Sequence, residues 1–256
     1  MSHDRRPVGV TDRDALADAI AADGLAFGRL LHVSGPGHAG TRVPGLDWNV
    51  AETAAHVLGV VRRALGDRRR SATPAETAVL NEMSLRAIDL RDPVTLGMEI
   101  ARDTEVVARR VLAQVRDGDA LIPFNAGIRV RALDAFGALL AELVVHGHDI
   151  AGALGVRHPT PPSHAAIALR AFLAVMPGWL DPACAEPERT FLLDVDGLPA
   201  VVRATISGGE LAGCWAPEVE RSPDPLDPLT ALLALTQRVE STDPDVAGLA
   251  ASLLPL

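Results

Sequence analysis

Cysteine is scarce in this chain: Cys184 and Cys214 are the two cysteines among 256 residues. Two cysteines exclude a disulfide framework and a cysteine-rich zinc site. Reduced thiols are the rule in the cytoplasm, so we expect a cytoplasmic protein in which both cysteines are free. No charge-free run is long enough to cross a membrane, and the N-terminal residues have no apolar stretch of signal-peptide length. We therefore expect no membrane association.

Lysine and tyrosine are absent, so the 24 basic residues are all arginine, against 33 acidic residues. The net charge of -9 argues against nucleic acid and anionic membranes as partners, because phosphate binding needs a cationic surface. The sequence also lacks GxSxG, P-loop and GxGxxG motifs, which removes the support for a hydrolase or a nucleotide site. Arg62, Arg63 and residues 68–70 form a basic cluster, which we interpret as a solvated face at a helix end.

Helix signals dominate the first 155 residues. The chain is 48% hydrophobic, which is enough for a buried core. Start signals predict helices over 12–31, 49–65, from 73, 92–116 and 128–154. These signals are Thr11 with Asp14, Asn49 with Glu52, Thr73 with Pro74, and Asp92 with Pro93. Long helices with short loops predict an N-terminal four-helix bundle over residues 1–157.

The composition changes at VRHPTPP (156–162), where three prolines indicate a linker. Beyond it, a helix is predicted from Ser163 to Val175, and strands over 191–195 and 200–206 are predicted to pair as a hairpin. A last helix is predicted over 228–239. Residues 158–256 are therefore expected to form a small α+β domain.

The segment AELVVHGHDIAGALG (141–155) carries the most chemistry. On a helix, Glu142 and His146 share one face, and Asp149 continues the same stripe. His148 points away from that stripe, and we expect it to be solvated. Two interpretations compete: an ordinary surface Glu–His pair, or two ligands of a metal held between bundle helices. If a metal is bound there, Asp149 would orient one of its ligands. Otherwise Asp149 is an ordinary solvated residue on the helix surface.

A second histidine, His56, lies two turns into the helix that begins after Asn49. Glu52 also precedes it by four residues, but Glu52 is already expected to cap the helix start. The simplest interpretation of a lone histidine on such a helix is a satisfied core or groove residue. The alternative is that it is a metal ligand.

The two segments together resemble the mycothiol-dependent maleylpyruvate isomerase family. That family belongs to the DinB/YfiT-like metal-binding four-helix bundles, and its second domain is similar to sterol-carrier folds. The resemblance covers most of the N-terminal region and is weaker in the C-terminal one. The residues that match are Trp48, Val50 and His56, followed by Glu142, Leu143, Val145, His146, Asp149 and Ala151.

The resemblance implies a divalent metal, usually zinc, bound by His56, Glu142 and His146. Two imidazoles and one carboxylate leave a fourth position open, and a thiol bound there is held as the thiolate. In the family that thiol is mycothiol, whose sulfur adds to an electrophilic double bond. The same ligand types also suit non-haem iron, so they do not identify the metal.

His148 departs from the family pattern, which usually has an aromatic residue at that position, often Trp. This difference weakens the inference about the substrate. The leading hypothesis is a metal-dependent isomerase or S-transferase that uses mycothiol or a similar small thiol on an electrophilic small molecule. The alternative is a non-catalytic, metal-stabilised binding protein for an apolar ligand or a protein partner.

Overall fold

The computed structural model describes residues 7–255, which are mainly helical, with two small antiparallel sheets. The helices are α1 (Arg13–Ser34), α2 (Val50–Ala64), α3 (Pro74–Arg86), α4 (Pro93–Val106), α5 (Ala132–Leu154), α6 (Pro162–Val175), α7 (Pro228–Leu235) and α8 (Pro244–Ala250). The strands are β1 (Leu121–Pro123), β2 (Arg129–Arg131), β3 (Arg189–Leu193), β4 (Val201–Ser207) and β5 (Glu210–Ala216). The prediction of a mainly helical N-terminal region is confirmed.

Side-chain caps set where most helices begin. At α2, Asn49 accepts from the backbone N–H of Glu52 while the Glu52 carboxylate accepts from that of Asn49, as predicted. Thr73 is the N-cap of α3, and its side chain accepts from the backbone N–H of Glu76. The helix predicted over 12–31 is present as α1, but its predicted cap is wrong, because Asp12, not Thr11, accepts from the first free backbone N–H groups. A carboxylate is at least as good a cap as a hydroxyl.

Two helix boundaries differ from the sequence prediction because the backbone there forms other hydrogen-bond patterns. Helix α5 begins at Ala132 rather than at 128, since residues 129–131 form β2 and pair antiparallel with β1. Helix α4 ends at Val106, and the chain continues as a π-helical turn over Val107–Val111 and a short 3-10 turn to Gln114. The predicted long helix over 92–116 is therefore divided into three geometries.

Four helices surround the main core. Helices α1 and α2 each pack against both α4 and α5. The side chains between them are fully buried and include Phe27, Leu58, Leu96, Ile100 and Leu140. Helices α1 and α4 approach closely where glycines face each other: a Cβ added at Gly28 would lie 2.8 Å from the Gly97 carbonyl oxygen. Helix α3 lies against α2, at the edge of this group.

The C-terminal half combines helices with a three-stranded sheet of order β3-β4-β5. The predicted hairpin is confirmed as β3 and β4, which pair antiparallel with Phe191 opposite Ala204. Helix α6 packs along α5 on one side and against α7 on the other. The predicted last helix ends at Leu235 rather than 239, and α8 follows it, packing against β3.

The segment before α1 is held by three distant parts of the chain. The N–H of Val8 donates to the carbonyl of Gly213 in β5 (3.3 Å). The N–H of Val10 donates to Asp134 Oδ1 (2.7 Å), and Arg170 Nε donates to the carbonyl of Gly9 (2.9 Å). This segment therefore ties the first helix to α5, α6 and the sheet.

Candidate metal centre

Helices α2 and α5 bring together the three residues predicted to bind a metal. His56 comes from α2, and Glu142 and His146 lie one turn apart on α5, which packs against α2. One side-chain ligand atom from each residue lies within 4.8 Å of the others. The capping box at Asn49 sets the start of α2, and so fixes the turn on which His56 meets α5.

The three side chains converge on one carboxylate oxygen. The Nε2 atoms of His56 and His146 each lie 3.2 Å from Glu142 Oε2. Both imidazoles are buried, whereas the Glu142 side chain is 37% exposed. The cluster is therefore closed on the histidine sides and open to solvent at Glu142.

Burial and hydrogen bonding together set the charges of the cluster. Burial lowers the pKa of His56, and this outweighs its hydrogen bond with Glu142. Burial also lowers the pKa of His146, but hydrogen bonds with Asp149 and Glu142 more than offset it and raise the pKa to about 9. The partial burial of Glu142 would raise its pKa, yet its bonds with the two histidines bring the pKa well below the usual range. Glu142 is thus the negatively charged member of the cluster.

Asp149 is a buried partner of His146 and not a surface residue. Its Oδ2 lies 2.9 Å from His146 Nδ1, which leaves Nε2 of that ring facing Glu142. Arg238, which follows α7, donates from Nε to both Asp149 oxygens at 3.2 Å. Carboxylate partners of this kind fix the orientation of metal-binding histidines. Arg238 had no signal in the sequence, because it lies far from Asp149 along the chain.

This donor set fits a divalent metal. Two imidazole nitrogens and one carboxylate are the ligands that an open zinc site uses, and all three point at one location. Nδ1 of His146 is bonded to Asp149, so Nε2, which faces Glu142, is the nitrogen of this ring that could bind a metal. Within the described residues, Nδ1 of His56 is buried without a hydrogen-bond partner, and Nε2 again is the atom that faces Glu142.

His148 lies outside this cluster. It is half-buried, with Nε2 3.3 Å from Thr160 Oγ1, and its ring meets that of His158 edge-on at 5.7 Å between centroids. The expectation that it is solvated is therefore wrong. Nearby, the buried Asp23 of α1 pairs with His164 of α6 through Oδ2 and Nδ1 at 2.5 Å. Glu52 also stays outside the cluster, in the capping box where it was predicted.

Arg63 corrects the interpretation of the basic cluster as a solvated face. It is 9% exposed, and its guanidinium donates to Ser84 Oγ (3.3 Å) and Asn81 Oδ1 (3.2 Å). Burial lowers its pKa, and the charge of Glu142 opposes that shift. Arg63 lies two turns after His56. This spacing in the sequence could have indicated that both side chains lie on the same inward face of α2.

No family model, curated protein or solved structure matches this chain. Among residues 7–255, no helix is both long and apolar enough to cross a membrane. The inference about function therefore starts from the His56, Glu142 and His146 cluster itself.

Proposed function

We propose that this protein is a metal-dependent isomerase or S-transferase that uses mycothiol or a similar small thiol on an electrophilic small molecule. The observation that carries the proposal is the convergence of three ligand atoms on a spot that stays open to solvent at Glu142. The proposal includes a DinB-like four-helix bundle formed by α1, α2, α4 and α5, and a C-terminal α+β domain from residue 158. It also takes zinc as the metal.

Each residue has a separate task in this proposal. His56 and His146 bind through Nε2 and Glu142 through its carboxylate, while Asp149 keeps His146 in the correct tautomer. A divalent cation held by these residues would lower the pKa of a thiol that reaches the open position, so that the thiol would be present as the thiolate. The negative charge of Glu142 would leave the site at +1, which would still favour an anionic sulfur.

The proposed reaction begins with addition of the thiol across an electrophilic carbon–carbon double bond. A sulfur–carbon bond forms, and a proton is taken up at the neighbouring carbon. Rotation about the resulting single bond, followed by loss of a proton from that neighbouring carbon and departure of the thiolate, gives the isomer. If the sulfur stays on the substrate, the product is a conjugate, which is the S-transferase outcome.

The test is elemental analysis of the purified full chain beside His56→Ala. We expect about one equivalent of zinc in the parent and loss of it in the variant, which should keep the parent's helical circular dichroism. The matched control is His32→Ala, because His32 is an exposed histidine on α1. Equal metal content in parent and His56→Ala would overturn the ligand assignment, and iron in place of zinc would redirect the search to oxygen chemistry.

The loaded protein is then assayed with mycothiol and related thiols against small electrophiles. Thiol-dependent turnover that disappears in His56→Ala is the expected result. A protein that holds metal but has no turnover with any thiol would favour the alternative, a metal-stabilised binding protein. The exposure of Glu142 favours the enzyme, since a purely structural zinc site is closed on all sides.

A further inference from the structure

The two histidines of the cluster differ in what holds their rings. Nδ1 of His146 is bonded to Asp149, whereas Nδ1 of His56 is buried and has no hydrogen-bond partner among residues 7–255. A metal-binding histidine almost always donates its second ring N–H to a carboxylate, a carbonyl or water. His56 lacks that support, so its orientation must come from another contact.

That contact is the indole of Trp48. Its ring lies 4.7 Å from the His56 ring between centroids, with a tilt of 32°. A centroid separation of this size is within the range in which aromatic rings pack against each other. An imidazole packed against the indole has less room to turn about its Cβ–Cγ bond. Trp48 therefore limits the rotation that would move His56 Nε2 away from Glu142.

Trp48 is itself fixed at both ends. Its indole N–H donates to Glu82 Oε1 on α3 at 3.2 Å. Its backbone carbonyl accepts from the N–H of Val43 at 3.1 Å, within the loop that leads into α2. The ring is thus held by a side chain from one element and by the backbone of another. These two bonds fix the position of the indole ring that packs against His56.

We propose that Trp48, tethered by Glu82, is the positioning residue that keeps His56 Nε2 directed at the metal position. It takes the place of the hydrogen bond that Asp149 provides to His146. The inference rests on the proposed metal site. A competing interpretation is that Trp48 only fills space between the loop and α2, in which case its loss lowers stability and leaves the metal affinity of the folded protein unchanged.

The two interpretations are separated by zinc affinity, measured on the full chain by competition with a chromophoric chelator. We expect Trp48→Ala to bind zinc about tenfold more weakly, the lower end of the range for residues that orient ligands. Trp48→Phe keeps an aromatic face and should stay within a factor of about two of the parent. The control is Trp179→Ala, which removes a tryptophan whose ring contacts Phe124 instead.

Glu82 offers a second, independent comparison. Glu82→Gln still accepts from the indole N–H and should bind zinc like the parent, while Glu82→Leu cannot accept and should fall between the parent and Trp48→Ala. Quenching of tryptophan fluorescence by bound Cu²⁺ gives a spectroscopic readout. We expect most of it to disappear in Trp48→Phe and to persist in Trp179→Phe.

The outcomes are distinct. If the parent binds zinc and Trp48→Ala binds it equally well, the positioning role is wrong and the metal site stands. If the parent binds no metal even after zinc is added back, the proposed function and this inference both fall. Weak binding by Trp48→Ala with recovery in Trp48→Phe supports both.

Discussion

Two faces of helix α5 carry histidines, and they differ in what surrounds them. On one face, His146 and Glu142 meet His56 from α2, and their ligand atoms converge. On the other face, His148 meets His158 edge-on, near the Asp23–His164 pair. Within residues 7–255, the first face alone assembles three possible ligand atoms within 4.8 Å of one another.

The comparison shows that a group of histidines is not by itself a metal site. On the first face, one Glu142 oxygen lies 3.2 Å from both imidazoles and remains accessible to solvent. On the second, the carboxylate of Asp23 is already paired with His164, and the other histidine contacts are a hydroxyl and a ring. A shared, partly exposed carboxylate distinguishes a candidate centre from a structural polar cluster.

The largest effect is expected when the shared carboxylate of the first face is removed. Glu142→Gln keeps the size of the side chain but removes the negative charge that a divalent cation needs. We expect zinc affinity to fall by more than about a hundredfold, beyond the range for residues that only orient ligands. Chelator competition measures this fall. Glu105→Gln, at an exposed position on α4, is the matched control, and an equal loss there would contradict the prediction.

The next largest effect is expected when the Asp23–His164 pair near the second face is broken. Asp23→Ala leaves His164 without its buried partner, so the free energy of unfolding should fall by about 3 kcal/mol. Urea unfolding in the presence of a chelator measures it. Zinc content should stay at the parental level, because Asp23 contributes no ligand atom. Loss of zinc from the folded variant would show that the two faces are not independent.

The smallest effect is expected when the hydrogen-bond partner of His146 on the first face is changed. Asp149→Asn weakens the hold on His146 Nδ1 and removes the charge that pairs with Arg238. We expect zinc affinity to fall by about tenfold, with the fold retained. The matched control is Asp18→Asn, which also removes the carboxylate partner of an arginine, Arg109, but on the surface. Parental affinity in Asp149→Asn would mean that packing alone orients His146.

Local signals in the sequence predicted local structure well. The Asn49–Glu52 capping box and the Thr73 cap needed no distant partner, and both were predicted correctly. The three residues of the candidate cluster, His56, Glu142 and His146, were also picked out from the sequence, and the packing of α2 against α5 brings them together. Asp243–Pro244 carried the same start signal as Asp92–Pro93, so α8 was predictable and was missed.

Other features depend on the whole fold. Strands β1 and β2 are three residues each, too short for an alternating pattern to be visible. The contact between Arg238 and Asp149 joins the segment after α7 to α5, and no spacing in the sequence indicates it. The support that Trp48 gives His56 likewise depends on Glu82, which lies on α3.

The segment that precedes α1 has a consequence for the order in which the chain can fold during synthesis. Residues 8–10 leave the ribosome before all three of the residues to which they are bonded, Asp134, Arg170 and Gly213. Domains made on the ribosome generally fold from the N-terminus onward. Here residues 8–10 cannot complete their contacts until β5 has emerged. This segment is thus among the last parts of the described structure to dock.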